Sequence, residues 1–156
     1  MADLDAVARA ILYSNSYLVL GTADPDGTPW TTPVFYAVQS YRDFYWVSGP
    51  DAQHSRNIAG RAEVSIVVFD SRAPIGLGQA VYFTGVAAEV TGPDIEAGMA
   101  AYGRGCADRG ARVWTEADVA PPRPNRLYRA NALQSWVMEP GSSPNRRVPV
   151  SLGVAR

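Results

Sequence analysis

Hydrophobic positions recur first at helical spacing and then at strand spacing. Leu4, Val7, Ala8, Ile11 and Leu12 fall on one face of a helix over residues 3–14. Asp3 suits its N-cap, and Asp5 sits where the helix dipole favours an anion. Ser14-Asn15-Ser16 ends it. Tyr17-Leu18-Val19-Leu20-Gly21-Thr22 is short and β-rich, which reads as a buried strand. Ala23-Asp24-Pro25-Asp26-Gly27-Thr28 has turn chemistry. A second strand is predicted from about Trp30 to Gln39, and Pro33 confines it to an edge or a bulge. A third strand covers Asp43-Phe44-Tyr45-Trp46-Val47-Ser48.

Gly49-Pro50-Asp51 breaks that strand, and residues 51–59 suit a short helix capped by Asp51. Glu63 to Phe69 is the next strand. A loop follows whose Pro74, Gly76 and Gly78 make residues 71–78 the candidate lid. Gln79 to Thr91 returns as a long strand, with Gly85 marking a bulge or a close backbone approach. Pro93 and Gly103 bracket a second helix carrying Ile95, Met99 and Tyr102 on one face. Residues 114–120 suit one more turn, and Pro121-Pro122-Arg123-Pro124 is a stiff connector. Arg126 to Glu139 and Arg146 to Val150 close the pattern. Six or seven antiparallel strands with few helices predict a mainly β (α+β) closed or split barrel, because closure hides strand edges. One domain over residues 1–156 is expected, its barrel spanning about residues 17–150.

Composition narrows the function classes. The 156 residues are 47% hydrophobic and 19% charged, with a formal net charge of −1. A nucleic-acid backbone rewards a strong positive excess, so no nucleic-acid partner is expected. No apolar run approaches the roughly 20 residues that span a bilayer. The start, MADLDAVARAIL, lacks a basic segment followed by a long apolar one. Cys106 is the single cysteine, so no internal disulfide is available. A cytoplasmic protein without membrane contact is the expectation.

Several chemistries can be set aside. One histidine and one cysteine give no metal cluster of ordinary spacing. No Gly-x-Ser-x-Gly elbow is present to support a hydrolase. Gly76-Leu77-Gly78 precedes a strand and lacks the third glycine of a dinucleotide fingerprint. The segment Ser48-Gly49-Pro50-Asp51-Ala52-Gln53-His54-Ser55-Arg56-Asn57-Ile58 is more informative. A strand runs into a short helix with hydroxyls, a histidine and an arginine near its start, which suits a phosphate. The competing reading is a solvated surface helix anchored by Ile58 alone. Trp30, Phe35, Tyr36, Phe44, Tyr45, Trp46, Tyr82, Phe83 and Trp136 crowd the strands as core or dimer contacts, and one or two can flank a planar ring.

Taken in order, these pieces resemble the pyridoxamine 5′-phosphate oxidase-like split-barrel family. The resemblance runs from about Tyr17 to Val150. It rests on Gly21-Thr22, Asp26-Gly27 and Pro33-Val34-Phe35, then on Phe44-Tyr45-Trp46-Val47-Ser48 and His54-Ser55-Arg56-Asn57-Ile58 before Val64-Ser65-Ile66. Gln79-Ala80-Val81-Tyr82, Gly85-Val86-Ala87, Trp136-Val137 and Arg146-Arg147-Val148-Pro149-Val150 complete it.

The resemblance implies FMN held at the two-fold interface of a homodimer. Ser48 matches the hydroxyl at the FMN phosphate, His54 a basic residue there, and Ser55 accompanies them. Pro33, Val34 and Phe35 match the segment whose backbone meets the isoalloxazine. Gln79 matches a polar position near the flavin, and Trp136 and Arg146 match residues arriving from the second subunit. An FMN-dependent oxidoreductase with a small-molecule substrate and an electron donor is implied, with no metal. The oxidase proper carries Ser-Arg-Lys where this chain has Ala52-Gln53-His54, and an Arg-Leu-Ala-Pro tail where it has Leu152-Gly153-Val154-Ala155-Arg156. Both departures point away from vitamin B6 oxidation. The alternatives are a deazaflavin F420-dependent reductase on the same barrel and, from another class, a non-catalytic flavin or haem carrier. Arg56, Arg61, Arg104, Arg109 and Arg112 are the candidates for the wider basic groove that F420 needs.

Overall fold

The computed structural model describes residues 3–152; residues 153–156, contrasted above with the oxidase tail, lie outside the described residues. The chain opens with α1 (Leu4–Ser14), whose N-cap Asp3 accepts hydrogen bonds from the amides of Asp5 and Ala6. Strands β1 (Tyr17–Ala23), β2 (Pro29–Phe35), β3 (Ala37–Gln39) and β4 (Asp43–Ser48) follow. Next come α2 (Gln53–Gly60), β5 (Glu63–Phe69) and β6 (Ala80–Glu89). The chain continues through α3 (Asp94–Asp108), α4 (Glu116–Val119), β7 (Arg126–Met138) and β8 (Arg147–Pro149).

The strands form one curled antiparallel sheet in the order β2-β1-β5-β6-β7-β4-β3, and β8 adds to β7. This is the expected split barrel. The predicted strand from Trp30 to Gln39 is in fact two. Its first half pairs with β1 and its second with β4, at opposite ends of the sheet path. Tyr36 forms the corner between them. It is fully buried, and its hydroxyl donates to the Leu12 carbonyl of α1 at 2.7 Å. Desolvation raises its phenol pKa to about 12, so it stays a donor at neutral pH.

Alternation along the strands makes the core. Leu18, Leu20 and Thr22 of β1 face inward, with Ile66 and Val68 of β5 and Val81 and Phe83 of β6. Helix α1 covers this face with Ala8, Ile11 and Leu12. The run Phe44-Tyr45-Trp46 is buried without alternation because β4 is covered on both faces. Phe44 and Trp46 belong to the barrel core, while Tyr45 packs against Met99 and Tyr102 of α3.

Of two glycines singled out in the sequence, one acts differently from expectation. Gly103 does not end α3, which continues to Asp108. The helix stops one turn later, where Gly110 adopts φ +64°. The Gly110 amide donates to the Ala107 carbonyl and the Ala111 amide to the Cys106 carbonyl, a Schellman ending. Gly85 does mark an irregularity. The register slips between Thr84 and Gly85, and the extra residue is Leu133 on the partner strand β7. A Cβ on Gly85 would meet the Asn131 carbonyl oxygen at 2.3 Å, so the close approach needs glycine.

Candidate functional site

The β4–α2 junction carries the strongest chemistry. β4 ends at Ser48, and the Ala52 amide donates back to the Gly49 carbonyl across the Gly-Pro turn. The helix then begins at Gln53. Its N-cap is Ala52, not the expected Asp51, and no side chain caps the first turn. The amides there lack the acceptor that an Asp cap would supply, and the first turn holds no acidic residue, though the Asp51 and Glu89 carboxylates act on neighbouring Tyr128.

This helix is not the solvated surface element of the competing reading. His54, Ser55 and Asn57 are buried along with Ile58. Asn57 Nδ2 donates to Thr22 Oγ1 at 3.0 Å, and Gln53 Nε2 donates to Asn57 Oδ1 at 2.8 Å. These bonds fix which face of α2 turns to the barrel. His54 Nε2 and Ser48 Oγ stand 2.9 Å apart. Burial pushes the His54 pKa below its ordinary value, so the ring is neutral at pH 7.

Two donors nearby are left over. Ser55 Oγ and Trp46 Nε1 are buried, and neither makes a hydrogen bond of acceptable geometry. Their common neighbour is Tyr128, whose ring stacks on Trp46 at 5.8 Å between centroids. Desolvation raises the Tyr128 phenol pKa, and the adjacent Ser55 hydroxyl partly offsets it. The Ser55 hydroxyl is turned to Tyr128, so the uncapped amides of α2 are the donors left for an acceptor ligand there.

Arg126 belongs to this end of the barrel as well. It pairs in register with Ser48, so both side chains share a sheet face. Its guanidinium reaches the carbonyls of Arg123 and Asn125 and lies 3.8 Å from Glu89. Sequence reasoning could not separate the roles of residues 123–129. The cross-strand partner of Ser48 is the signal that does so, and it exists only once β4 and β7 are paired.

The remaining predicted residues lie elsewhere in the chain. Pro33, Val34 and Phe35 sit on β2, which pairs with β1 on one side only. Val34 points into the barrel core, and Phe35 packs edge-on against Tyr17 and Tyr102. Gln79 immediately precedes β6, after the 71–78 loop in which Ile75 and Leu77 are exposed. Trp136 lies opposite Tyr82 and lines an outward groove of about 550 Å³ over β1, β5 and β6. Gly21, Thr31 and Ser65 line the same groove, but no residue of α2 does. Arg146 is held by Glu139 through two hydrogen bonds of 2.8 Å. Its neighbour Arg147 lines the groove, with its guanidinium 4.2 Å from the Tyr82 ring centre.

The five arginines proposed for a basic groove are dispersed. Arg56 hydrogen-bonds Gln53 and the Asp51 carbonyl, and Arg61 lines a shallow recess beside Trp30. Arg104 and Arg109 line a cavity on α3, while Arg112 pairs with Asp118 and stacks on Trp114.

The sequence profile of the pyridoxamine 5′-phosphate oxidase family matches residues 4–134. The chain belongs to that family. No curated protein matches the chain. Among solved structures, a heme binding protein from Mycobacterium smegmatis superposes with a TM-score of 0.74 at 19% identity, over 98% of this chain and 59% of that one. This chain therefore spans little more than half of that protein. The heme storage protein HutZ from Vibrio cholerae gives 0.66 at 19% identity, covering 90% of this chain and 96% of its own. An F420 reductase gives 0.60 at 18% identity, covering 82% and 94%. At these identities the likeness concerns the fold of the pyridoxamine 5′-phosphate oxidase family alone. No helix among the described residues is long and apolar enough to cross a membrane.

Proposed function

We propose that this chain is an FMN-binding oxidoreductase acting on a small molecule, with a second copy of the chain completing each flavin site. The observation that carries the reading is the uncapped start of α2 beside the Ser48 hydroxyl. The uncapped amides are donors in need of acceptors, and a phosphate monoester supplies acceptors. The donor set thus fits the phosphate of FMN. His54 supports it as a neutral hydrogen-bonding partner that orients Ser48.

Bound flavin supplies the hydride and electron chemistry, so the protein needs no acid–base pair of its own. The chain's task is to hold and orient. The free edge of β2 around Pro33 to Phe35 offers backbone groups to the ring. Trp136 and Gln79 lie away from α2, which fits residues that serve the site of a second copy; Arg147 joins them more readily than the Glu139-bound Arg146. Membership of the pyridoxamine 5′-phosphate oxidase family supports flavin chemistry on this barrel.

The alternatives gain less from the residues. A heme carrier wants an accessible axial ligand, and the single histidine is buried with Nε2 against Ser48. Deazaflavin F420 has a longer anionic tail, and the arginines that would follow it are scattered.

The test is the identity of the chromophore released from purified protein, followed by titration of the stripped protein with FMN and with riboflavin. FMN is expected to bind tighter by about tenfold or more, the contribution of a charge-assisted phosphate contact. Equal affinity for the two would remove the phosphate site, and released heme or F420 would replace the flavin reading. Reduction of the bound flavin by NADH, NADPH or reduced F420 separates an enzyme from a carrier.

A further inference from the structure

A second cavity, of about 430 Å³, lies between α1, the β3–β4 hairpin and α3. It shares no lining residue with the α2 cluster or with the outer groove. Leu12, Val38 and Ala101 give it an aliphatic lining, and Tyr13 and Tyr41 add two aromatic rings. Those rings are 82% and 37% exposed. Arg104 and Arg109 line the α3 side, and among the described residues neither takes part in an ion pair.

Arg109 is held firmly. The Schellman ending of α3 fixes its backbone, and its guanidinium stacks 5.1 Å from the Tyr36 ring centre. Nη2 donates to the carbonyl of Asn15 at 3.1 Å, while the buried Nε–H has no acceptor. Asp108 is the one carboxylate lining the cavity, set against two guanidiniums. A single negative charge is therefore welcome, and a second is opposed.

The hairpin supplies an independent sign. Ser40 and Tyr41 both adopt φ +53°, and the Arg42 amide donates to the Gln39 carbonyl to close a two-residue turn. Such turns favour Asn-Gly, because L-residues with a Cβ are strained at positive φ and bulky ones most of all. A tyrosine kept at such a position is explained by a use for its side chain. Its ring lines the cavity, and the Arg9 guanidinium stacks on it at 5.6 Å.

We propose that this cavity is a binding site for a small planar aromatic monocarboxylate. Its ring lies against Tyr13 and Tyr41, and its carboxylate turns to Arg104 and Arg109. The volume lies within the range of small-molecule sites, toward the smaller end, and suits a molecule of one or two rings. The site is separate from the flavin reading and stands or falls without it.

The test uses 1-naphthoate as probe and 1-naphthalenemethanol as its uncharged counterpart, followed by amide chemical shifts of the full chain. The acid is expected to perturb residues 39–41 and 104–109 saturably, and to bind about tenfold tighter than the alcohol. Ser40→Asn/Tyr41→Gly relieves the turn while removing the ring. It is expected to raise the melting temperature by about 2–4 °C and to weaken naphthoate about tenfold. Arg104→Ala, on an exposed side chain, weakens naphthoate without changing the melting temperature. Shifts mapping to the outer groove, equal binding of acid and alcohol, or undiminished affinity in either variant would overturn the site.

Discussion

His54 Nε2 lies 2.9 Å from Ser48 Oγ, joining the last residue of β4 to the first turn of α2. The contact leaves the serine hydroxyl oriented at the end of an uncapped helix. Ser48→Ala is expected to weaken FMN by about tenfold, the scale of one hydrogen bond to a charged group, and to leave riboflavin unchanged. His54→Ala is expected to act in the same direction through loss of that orientation. Calorimetric titration with both flavins measures this, and parallel losses for FMN and riboflavin would assign the residues to general packing instead.

Acid sensitivity follows from the same histidine. Burial holds the folded-state pKa of His54 below 6.5. The unfolded chain therefore takes up this proton at a higher pH than the folded chain does. Stability is whole above about pH 6.5 and declines as pH falls from there toward the folded pKa. His54→Gln is expected to flatten that part of the profile. Urea midpoints measured between about pH 7.5 and 5 test it, and parallel curves for the two proteins would show that other groups govern the decline.

Gly85→Ala should be costly. The added Cβ would fall 2.3 Å from the Asn131 carbonyl oxygen, which is ladder backbone that cannot swing away. A loss of about 2 kcal/mol or more is expected. Gly76→Ala provides a matched control. Its φ of +86° carries local strain, but nothing lies within 4 Å. Chemical denaturation of both variants compares a steric clash within the sheet with strain in an open loop.

The outward groove beside Trp136 and Tyr82 sits on a sheet face that also exposes Phe69, Val86 and Leu133. Apolar surface of this kind is what the proposed homodimer would cover. Light scattering is expected to report a dimer for the native chain and a monomer for Trp136→Glu. A native monomer that still retains FMN would contradict the shared-site reading.

Much of the barrel was legible because burial there follows a period of two. β1, β5 and β6 alternate, so their existence and inward faces could be read from the chain, whereas the pairing of β1 with the distant β5 could not. The break at Tyr36 was not legible either. No Gly or Pro interrupts Pro33 to Gln39 after the first residue, and the break comes from a change of partner from β1 to β4. Helix α3 misled differently. Gly103 lies inside the helix with room for a Cβ, whereas the terminating glycine is Gly110.

At the site, local chemistry singled out Ser48 and His54, which lie six residues apart and hydrogen-bond in the fold. The cap did not follow, because Asp51 falls one position before Ala52 at the helix start. The choice between Arg146 and Arg147 depends on where a three-residue strand begins, since Arg147 opens β8 and lines the groove while Arg146 precedes it. No periodicity in so short an element can decide that.

The Tyr36 corner gives the barrel a particular mechanical property. The two terminal strands of its sheet are consecutive stretches of one chain, so covalent bonds span the gap where a ladder would otherwise have to close. That gap can widen or narrow by rotating a few backbone angles without severing a cross-strand hydrogen bond. This joint sits beneath α1, pinned by the Tyr36 phenol on the Leu12 carbonyl, by its amide on the Ser16 carbonyl and by Arg109 stacked on its ring.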